Sequence, residues 1–149
     1  SGPGAPEGRY VAQHRHVGAE VARRAGAASG SDPDWELVFC SRSGPPQAPW
    51  LAPDVIDRLR ELAAEGVRDV VCAPIGFVND HMEVCYDLDT EAAATASECG
   101  LGFGRAATAG THPAFVAELT QRLLQLAATK RAGYTPELST CGQNCCGRS

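Results

Sequence analysis

Nowhere in this sequence do as many as ~18 apolar residues follow one another, so no segment reads as a membrane-spanning helix. Positive charge is also scarce: 13 Lys+Arg stand against 18 Asp+Glu, a formal net charge of -5, with no long cationic run. Affinity for a phosphate backbone or for anionic lipid needs the opposite balance, which excludes nucleic acid as a partner and stable membrane insertion as a mode of attachment. Methionine is nearly absent, Met82 being the only one, and the chain opens Ser1-Gly2-Pro3-Gly4 with no initiator and no secretory pattern. The expectation is a soluble, cytoplasmic piece of something longer. Its 149 residues suffice for one globular domain. Seven cysteines are an odd number, and Cys40, Cys72, Cys85 and Cys99 sit singly in apolar segments as small core residues, so a disulfide framework is not expected.

Tyr10, Val11, His14, Val17 and Val21 recur at helical spacing up to about Ala25, after which Gly26 to Ser31 breaks the pattern. Trp35 to Ser41 is short, aromatic and β-branched, and predicts a strand running into a proline-stiffened loop as far as Pro53. Asp54 to Glu65 turns Val55, Ile56, Leu59, Leu62 and Ala63 to one face, with Gly66 placed to stop the helix in the left-handed region. Asp69 to Ile75 is nearly continuous in apolar residues, the pattern of a strand buried on both faces of a parallel sheet. A helix from His81 to Cys99, a short strand from Leu101 to Ala106, and a helix from Thr111 to about Lys130 complete the order α-β-α-β-α-β-α. In that last helix Thr111 is the expected N-cap, and Phe115, Val116, Leu119, Leu123 and Leu126 are expected to turn inward.

Alternation of helices with buried strands predicts an α/β class, a three-layer Rossmann-like parallel sheet flanked by helices over residues 1–130, with 131–149 a flexible cysteine-containing tail. Ligands of such folds lie beyond the carboxyl ends of the strands, which directs attention to Ser41–Pro53 and Ile75–Asp80. Three strands are few for this class, and a first helix without a preceding strand implies an absent upstream part.

Three groups of residues carry chemistry. Asp80, His81, Glu83, Asp87, Asp89 and Glu91 crowd the start of one helix, and Glu83, Asp87 and Glu91 are four apart, a stripe of like charges that costs stability unless a cation or protons are shared along it. Hard oxygens beside an imidazole suit a divalent first-row metal such as Fe(II); a solvated acidic face favoured by the helix dipole is the other reading. Arg42, Ser43 and Trp50 lie in the stiff loop and would suit a flat anionic ligand, with Trp50 against its ring and Arg42 near an acid group. Equally, that loop is a plain connection with Trp50 as a lid on the core. Cys141, Cys145 and Cys146 place three thiols in a polar tail, three of the four ligands that zinc or an iron–sulfur cluster takes.

Ser41-Arg42-Ser43-Gly44-Pro45-Pro46-Gln47-Ala48-Pro49-Trp50-Leu51 and Pro74-Ile75-Gly76-Phe77-Val78-Asn79-Asp80-His81-Met82-Glu83-Val84-Cys85-Tyr86-Asp87-Leu88-Asp89 together resemble the ferrochelatase family. The likeness covers about residues 9 to 130 and is nearest to the coproporphyrin III ferrochelatases of high-GC Gram-positive bacteria. It implies two similar α/β halves, this chain being most of the C-terminal one, and an enzyme inserting Fe(II), its metal substrate, into a porphyrin. It further implies that Glu83 is an iron ligand paired with a histidine of a His-Ser motif lying upstream of Ser1. His81, Asp87 and Glu91 would belong to the family's acidic helix, often wound as a π-helix, and Trp50 would lie near the macrocycle. Cys141, Cys145 and Cys146 resemble the tail of members carrying a 2Fe-2S cluster, whose fourth cysteine lies in the N-terminal half. Asn79 replaces the usual Ser, and Cys40 a common Gln. The rival expectations are a chelatase for another metal and tetrapyrrole, a non-catalytic haem or iron-binding module, and a partial domain inactive by itself.

Overall fold

The computed structural model describes residues 8–42 and 50–131, in two units that divide after Gly110. The first unit opens with α1 (Arg9–Ser29), which runs past its expected end at Ala25. Gly26 does not break the helix because it serves packing instead: a Cβ there would stand 2.5 Å from the Ser31 carbonyl oxygen and 2.9 Å from Pro33 Cδ, where the chain folds back. The stop is Gly30, left-handed at φ 69, whose N–H donates to the Gly26 carbonyl. The inward stripe of α1 is also shifted, with Tyr10, Val17 and Val21 exposed and Val11, His14, Gly18 and Ala22 half-buried.

The strand expected over Trp35–Ser41 is reduced to one parallel bridge, Phe39 to Asp54. The Phe39 N–H donates to the Pro53 carbonyl at 2.9 Å and the Val55 N–H to the Phe39 carbonyl at 2.8 Å. The ladder cannot grow: Pro53 has no N–H to contribute, and Asp54 already caps a helix. That helix is α2 (Val55–Ala64), with Asp54 accepting from the Ile56 N–H at 2.8 Å and Gly66 at φ 87 beyond its end, as expected. Arg58 ties α2 to the bridge segment through Glu36 at 2.9 Å, and reaches Glu61 at 3.0 Å and Glu65 at 2.8 Å along its own helix.

β1 (Asp69–Cys72) and β2 (Gly102–Arg105) form a two-stranded parallel sheet in the register Asp69↔Gly102, Val70↔Phe103, Val71↔Gly104, Cys72↔Arg105. Helices with a small parallel sheet define the class as α/β. β1 is not covered on both faces: Val70 and Cys72 pack on the core, while Val71 is 77% exposed. Between the strands one continuous helix passes through α3 (Met82–Val84), a π-helical stretch (Cys85–Ala92) and α4 (Ala93–Glu98). In the π-helical stretch the Ala93 N–H reaches back five residues to the Leu88 carbonyl.

The core lies between this helix and α2. Val84, Leu88, Ala92 and Ala96 recur every four residues and are buried against Val55 and Leu59, with Leu101 closing one end and Val70, Cys72 and Phe103 supplying the sheet face. Cys40, Cys72 and Cys85 are half-buried, near the core as expected; Cys99 is exposed, beyond the end of α4.

The second unit's described residues form one helix, α5 (Pro113–Arg131), and its entry. Its N-cap is His112 rather than Thr111, the Ala114 N–H donating to His112 Nδ1 at 3.3 Å. Phe115 is half-buried, but Val116, Leu119, Leu123 and Leu126 are exposed, contrary to expectation, because within this unit the described residues offer no second element to cover them.

A core built on one stripe predicts an uneven response to truncation. Leu88→Ala should cost about 2–5 kcal/mol in urea unfolding, whereas Val71→Ala should change stability by no more than about 0.5 kcal/mol. Equal losses would contradict the placement of the core.

Candidate functional site

The packing of the 82–98 helix decides where its carboxylates go. Glu83, Asp87 and Glu91 each precede a buried residue of the core stripe, so they emerge along the edge of the buried face. Four residues advance an α-helix by about 400°, so positions four apart drift by about 40° per step. The wider π-helical turn counteracts that drift and keeps the three carboxylates in one row. Thr95, the next position of the same row, is buried, so the row ends inside the protein.

The row faces a cavity of about 300 Å³ lined by Cys40, Ser41, Arg42, Asp54, Val55, Ile56, Glu83, Asp87 and Glu91. One wall is the segment that follows the Phe39 bridge. There Ser41 adopts φ 57, the only positive φ of a non-glycine residue among the described residues, at a cost of about 1–3 kcal/mol. Its hydroxyl donates to the Asp87 carboxylate across 46 positions of sequence, and sits 3.6 Å from Cys40 Sγ. A hydrogen bond to a charged acceptor contributes about 1.5–3 kcal/mol, enough to hold the strained turn. Burial pushes the Cys40 thiol above its usual range; the Ser41 hydrogen bond opposes this, and the charges of Asp87, Asp54 and Glu83 add to it. Cys40 therefore faces the cavity as a neutral thiol. Cys72, behind it, is raised to about 11, chiefly by burial.

The five acidic positions do not act together. Arg105, at the carboxyl end of β2, donates from Nη1 to Asp80 at 2.7 Å and forms a two-pronged pair with Asp89, its Nη2 lying 2.9 Å from Asp89 Oδ2. The guanidinium holds the Asp89 carboxyl below the usual range. Asp80 and Asp89 are thus neutralised on the sheet side, and Glu83, Asp87 and Glu91, with Asp54 across from them, are the cavity's carboxylates.

Of the residues singled out in the sequence, Arg42, Glu83, Asp87 and Glu91 meet around this cavity. His81 does not line it: as the extended N-cap of α3 it packs edge-to-face on Phe77, ring centroids 5.2 Å apart. Trp50 is 40% exposed and likewise not among the lining residues, so it is neither wall nor core lid in this unit. Ser43, Cys141, Cys145 and Cys146 lie outside the described residues. Cys40 and Asp54, read in the sequence as a core residue and a helix opener, are cavity residues. Asp54 carried a usable signal, since an N-cap following a proline loop stands where the loop meets the helix. Among the described residues no three His, Cys, Asp or Glu side chains converge closely enough to hold a metal ion by themselves, and no helix is long and apolar enough to cross a membrane.

An acidic row on a π-helical segment thus faces a cavity that Arg42 also lines. The chain belongs to the ferrochelatase family, whose model matches residues 3–126. It is 47% identical over 148 residues to the coproporphyrin III ferrochelatase of Streptomyces griseus, covering 93% of this chain and 40% of that protein. Over 141 residues it is 48% identical to the coproporphyrin III ferrochelatase of Propionibacterium freudenreichii, covering 92% of this chain and 40% of the relative. A ferrochelatase of Rhodopirellula baltica is 47% identical over 119 residues, 76% of this chain and 34% of that protein. The chain thus spans about 40% of the length of the curated relatives it matches.

The Asp89–Arg105 pair has a defined pH signature. A carboxyl lowered by folding contributes stability that is complete above its unfolded pKa of ~3.9 and disappears as pH falls through the lower folded value. The stability difference between the parent chain and Arg105→Gln should therefore shrink on acidification from pH ~5 to pH ~2. A difference that stays constant over that range would refute the pairing.

Proposed function

We propose that this chain is the C-terminal part of a ferrochelatase that inserts Fe(II) into coproporphyrin III, a cytoplasmic step of haem biosynthesis. The observation that carries the proposal is the row Glu83, Asp87 and Glu91 facing one cavity from a π-helical segment. Within this reading the fold is one three-layer half of a two-half enzyme, and the other half is the partner that completes the porphyrin cleft.

Insertion exchanges two pyrrole protons for one Fe(II), so the site must hold the metal weakly enough to release it and must accept two protons. Glu83 would hold Fe(II) with a histidine supplied from outside these residues. Asp87, oriented by the Ser41 hydroxyl, and Glu91, deeper in the row, would take the protons and pass them along the acidic path. Arg42, a lining residue of the cavity, suits a propionate carboxylate of the porphyrin, and Ser43 and Trp50 would be its further substrate contacts. His81 would hold the helix entry through its contact with Phe77. Lyase chemistry by metal insertion follows from these roles; a haem or iron-binding module would use the same cavity without turnover.

Cys141, Cys145 and Cys146 would supply three thiolates to a 2Fe-2S cluster, the fourth coming from elsewhere in the protein. The donor set fits such a cluster in type and falls one short in number. A bound cluster would leave iron and acid-labile sulfide in equal amounts in protein extended to the relatives' length, and Cys145→Ser should remove both. Retention of both in that variant would end this assignment.

The activity is tested by anaerobic Fe(II) insertion into coproporphyrin III, followed by loss of porphyrin fluorescence, with this chain beside one extended to the relatives' length. The extended chain should be active and this one inactive. Glu83→Gln in the extended chain should abolish insertion while leaving the folding transition unchanged. Turnover near the parent rate would remove Glu83 from the mechanism; porphyrin binding without turnover in the extended parent would favour the binding module.

A further inference from the structure

We infer that Arg105 is a positioning residue for metal insertion, a clamp that fixes the rotation of the π-helical segment so that its acidic row points into the cavity. The inference rests on the reading of Glu83, Asp87 and Glu91 given above.

Three observations carry it. Arg105 is anchored in the sheet, paired in register with Cys72 at the carboxyl end of β2, and its side chain is only 17% exposed. From there it holds the 82–98 helix at two levels: Asp80, in the turn just before α3, at 2.7 Å, and Asp89, within the π-helical stretch, through two parallel N–H donors. Asp89 is two residues from Asp87 and two from Glu91. Two residues turn a helix by roughly half a revolution, so Arg105 grips the face opposite the row.

Without Arg105 this helix would be held by the apolar stripe of Val84, Leu88, Ala92 and Ala96, two of them alanines with little to interlock, and by the single Ser41–Asp87 hydrogen bond, a weaker restraint on the exchange between α and π winding. Rewinding to α would rotate Asp89 away from Arg105 and carry Glu91 out of line with Glu83. A planar guanidinium bonded by two prongs resists that rotation in a way a point charge does not. Arg105 bonds to Asp80, Asp89 and the Ala106 carbonyl and to none of Glu83, Asp87 or Glu91, so it would act on the row through helix geometry rather than by direct contact.

Two measurements test this, in the 149-residue chain and in the chain extended to the relatives' length. In the 149-residue chain, Arg105→Gln should accelerate amide exchange across residues 85–93 by about tenfold or more, while α2 keeps its protection. In the extended chain, Arg105→Gln should lower kcat for Fe(II) insertion by about tenfold or more, with KM for porphyrin within about twofold. Arg105→Lys should recover part of both losses. Unchanged kcat, or loss of protection spread equally over α2, would overturn the inference. If the extended parent inserts no iron, the ferrochelatase reading itself fails; exchange then decides the clamp alone, and unaltered exchange at 85–93 would sink it.

Discussion

The arrangement depends on one constraint: the 82–98 helix must bury Val84, Leu88, Ala92 and Ala96 against α2. Burying Val84 and Leu88 contributes about 1.5–3 kcal/mol each. Holding like charges four apart on the same helix costs about 0.2–0.5 kcal/mol per pair, and there are two such pairs in Glu83, Asp87 and Glu91. Packing wins by a wide margin, so the core can impose a charge pattern that an isolated helix would avoid. The core carries the carboxylates to the edge of the cavity through their neighbours in sequence, and the Ser41 hydroxyl on Asp87 and Arg105 on the opposite face act on that placement.

Charge then separates by face. Arg105 takes Asp80 and Asp89 on the sheet side, and the Ser41 hydroxyl takes Asp87 on the cavity side without neutralising it. The distinction matters chemically. A carboxylate bound two-pronged to arginine is a poor proton acceptor, because protonation would break a charge-assisted pair. A carboxylate held by a single hydroxyl keeps a free oxygen for a metal or a proton. The same helix therefore carries an arginine-paired carboxylate and a hydroxyl-bonded one two residues apart, and the strained Ser41 turn is part of what keeps them distinct.

Much of this was legible in the sequence. Periodicity located α2, the 82–98 helix, both strands and α5, and the four-residue spacing of Glu83, Asp87 and Glu91 marked the cavity row. The π-helical winding was not legible from composition; it entered as an implication of resemblance, since nothing in Cys85–Ala92 distinguishes five-residue from four-residue hydrogen bonding. The extent of α1 was misread because Gly26 looks like a breaker, although a close backbone approach also demands glycine. The strand at Trp35–Ser41 was overread for the opposite reason: β-branched and aromatic composition predicts a strand, but a ladder needs a partner with N–H groups to give, and Pro53 has none. The pairing of Arg105 with Asp80 and Asp89 spans 25 and 16 positions, beyond any local pattern.

The exposed face of β1 bears on how much of the enzyme these residues represent. A parallel sheet is ordinarily covered on both sides, since its strands come from crossover helices on both faces. Here Val71 stands 77% exposed between two half-buried neighbours, on a strand whose composition is apolar at every position from Val70 to Cys72. That composition suits burial on both sides. The chain spans about 40% of its relatives' length, and under the proposed ferrochelatase reading the cavity described here would be one wall of a larger cleft. In that reading the acidic row would belong to this wall, and the residue sharing iron with Glu83 would come from the opposite one.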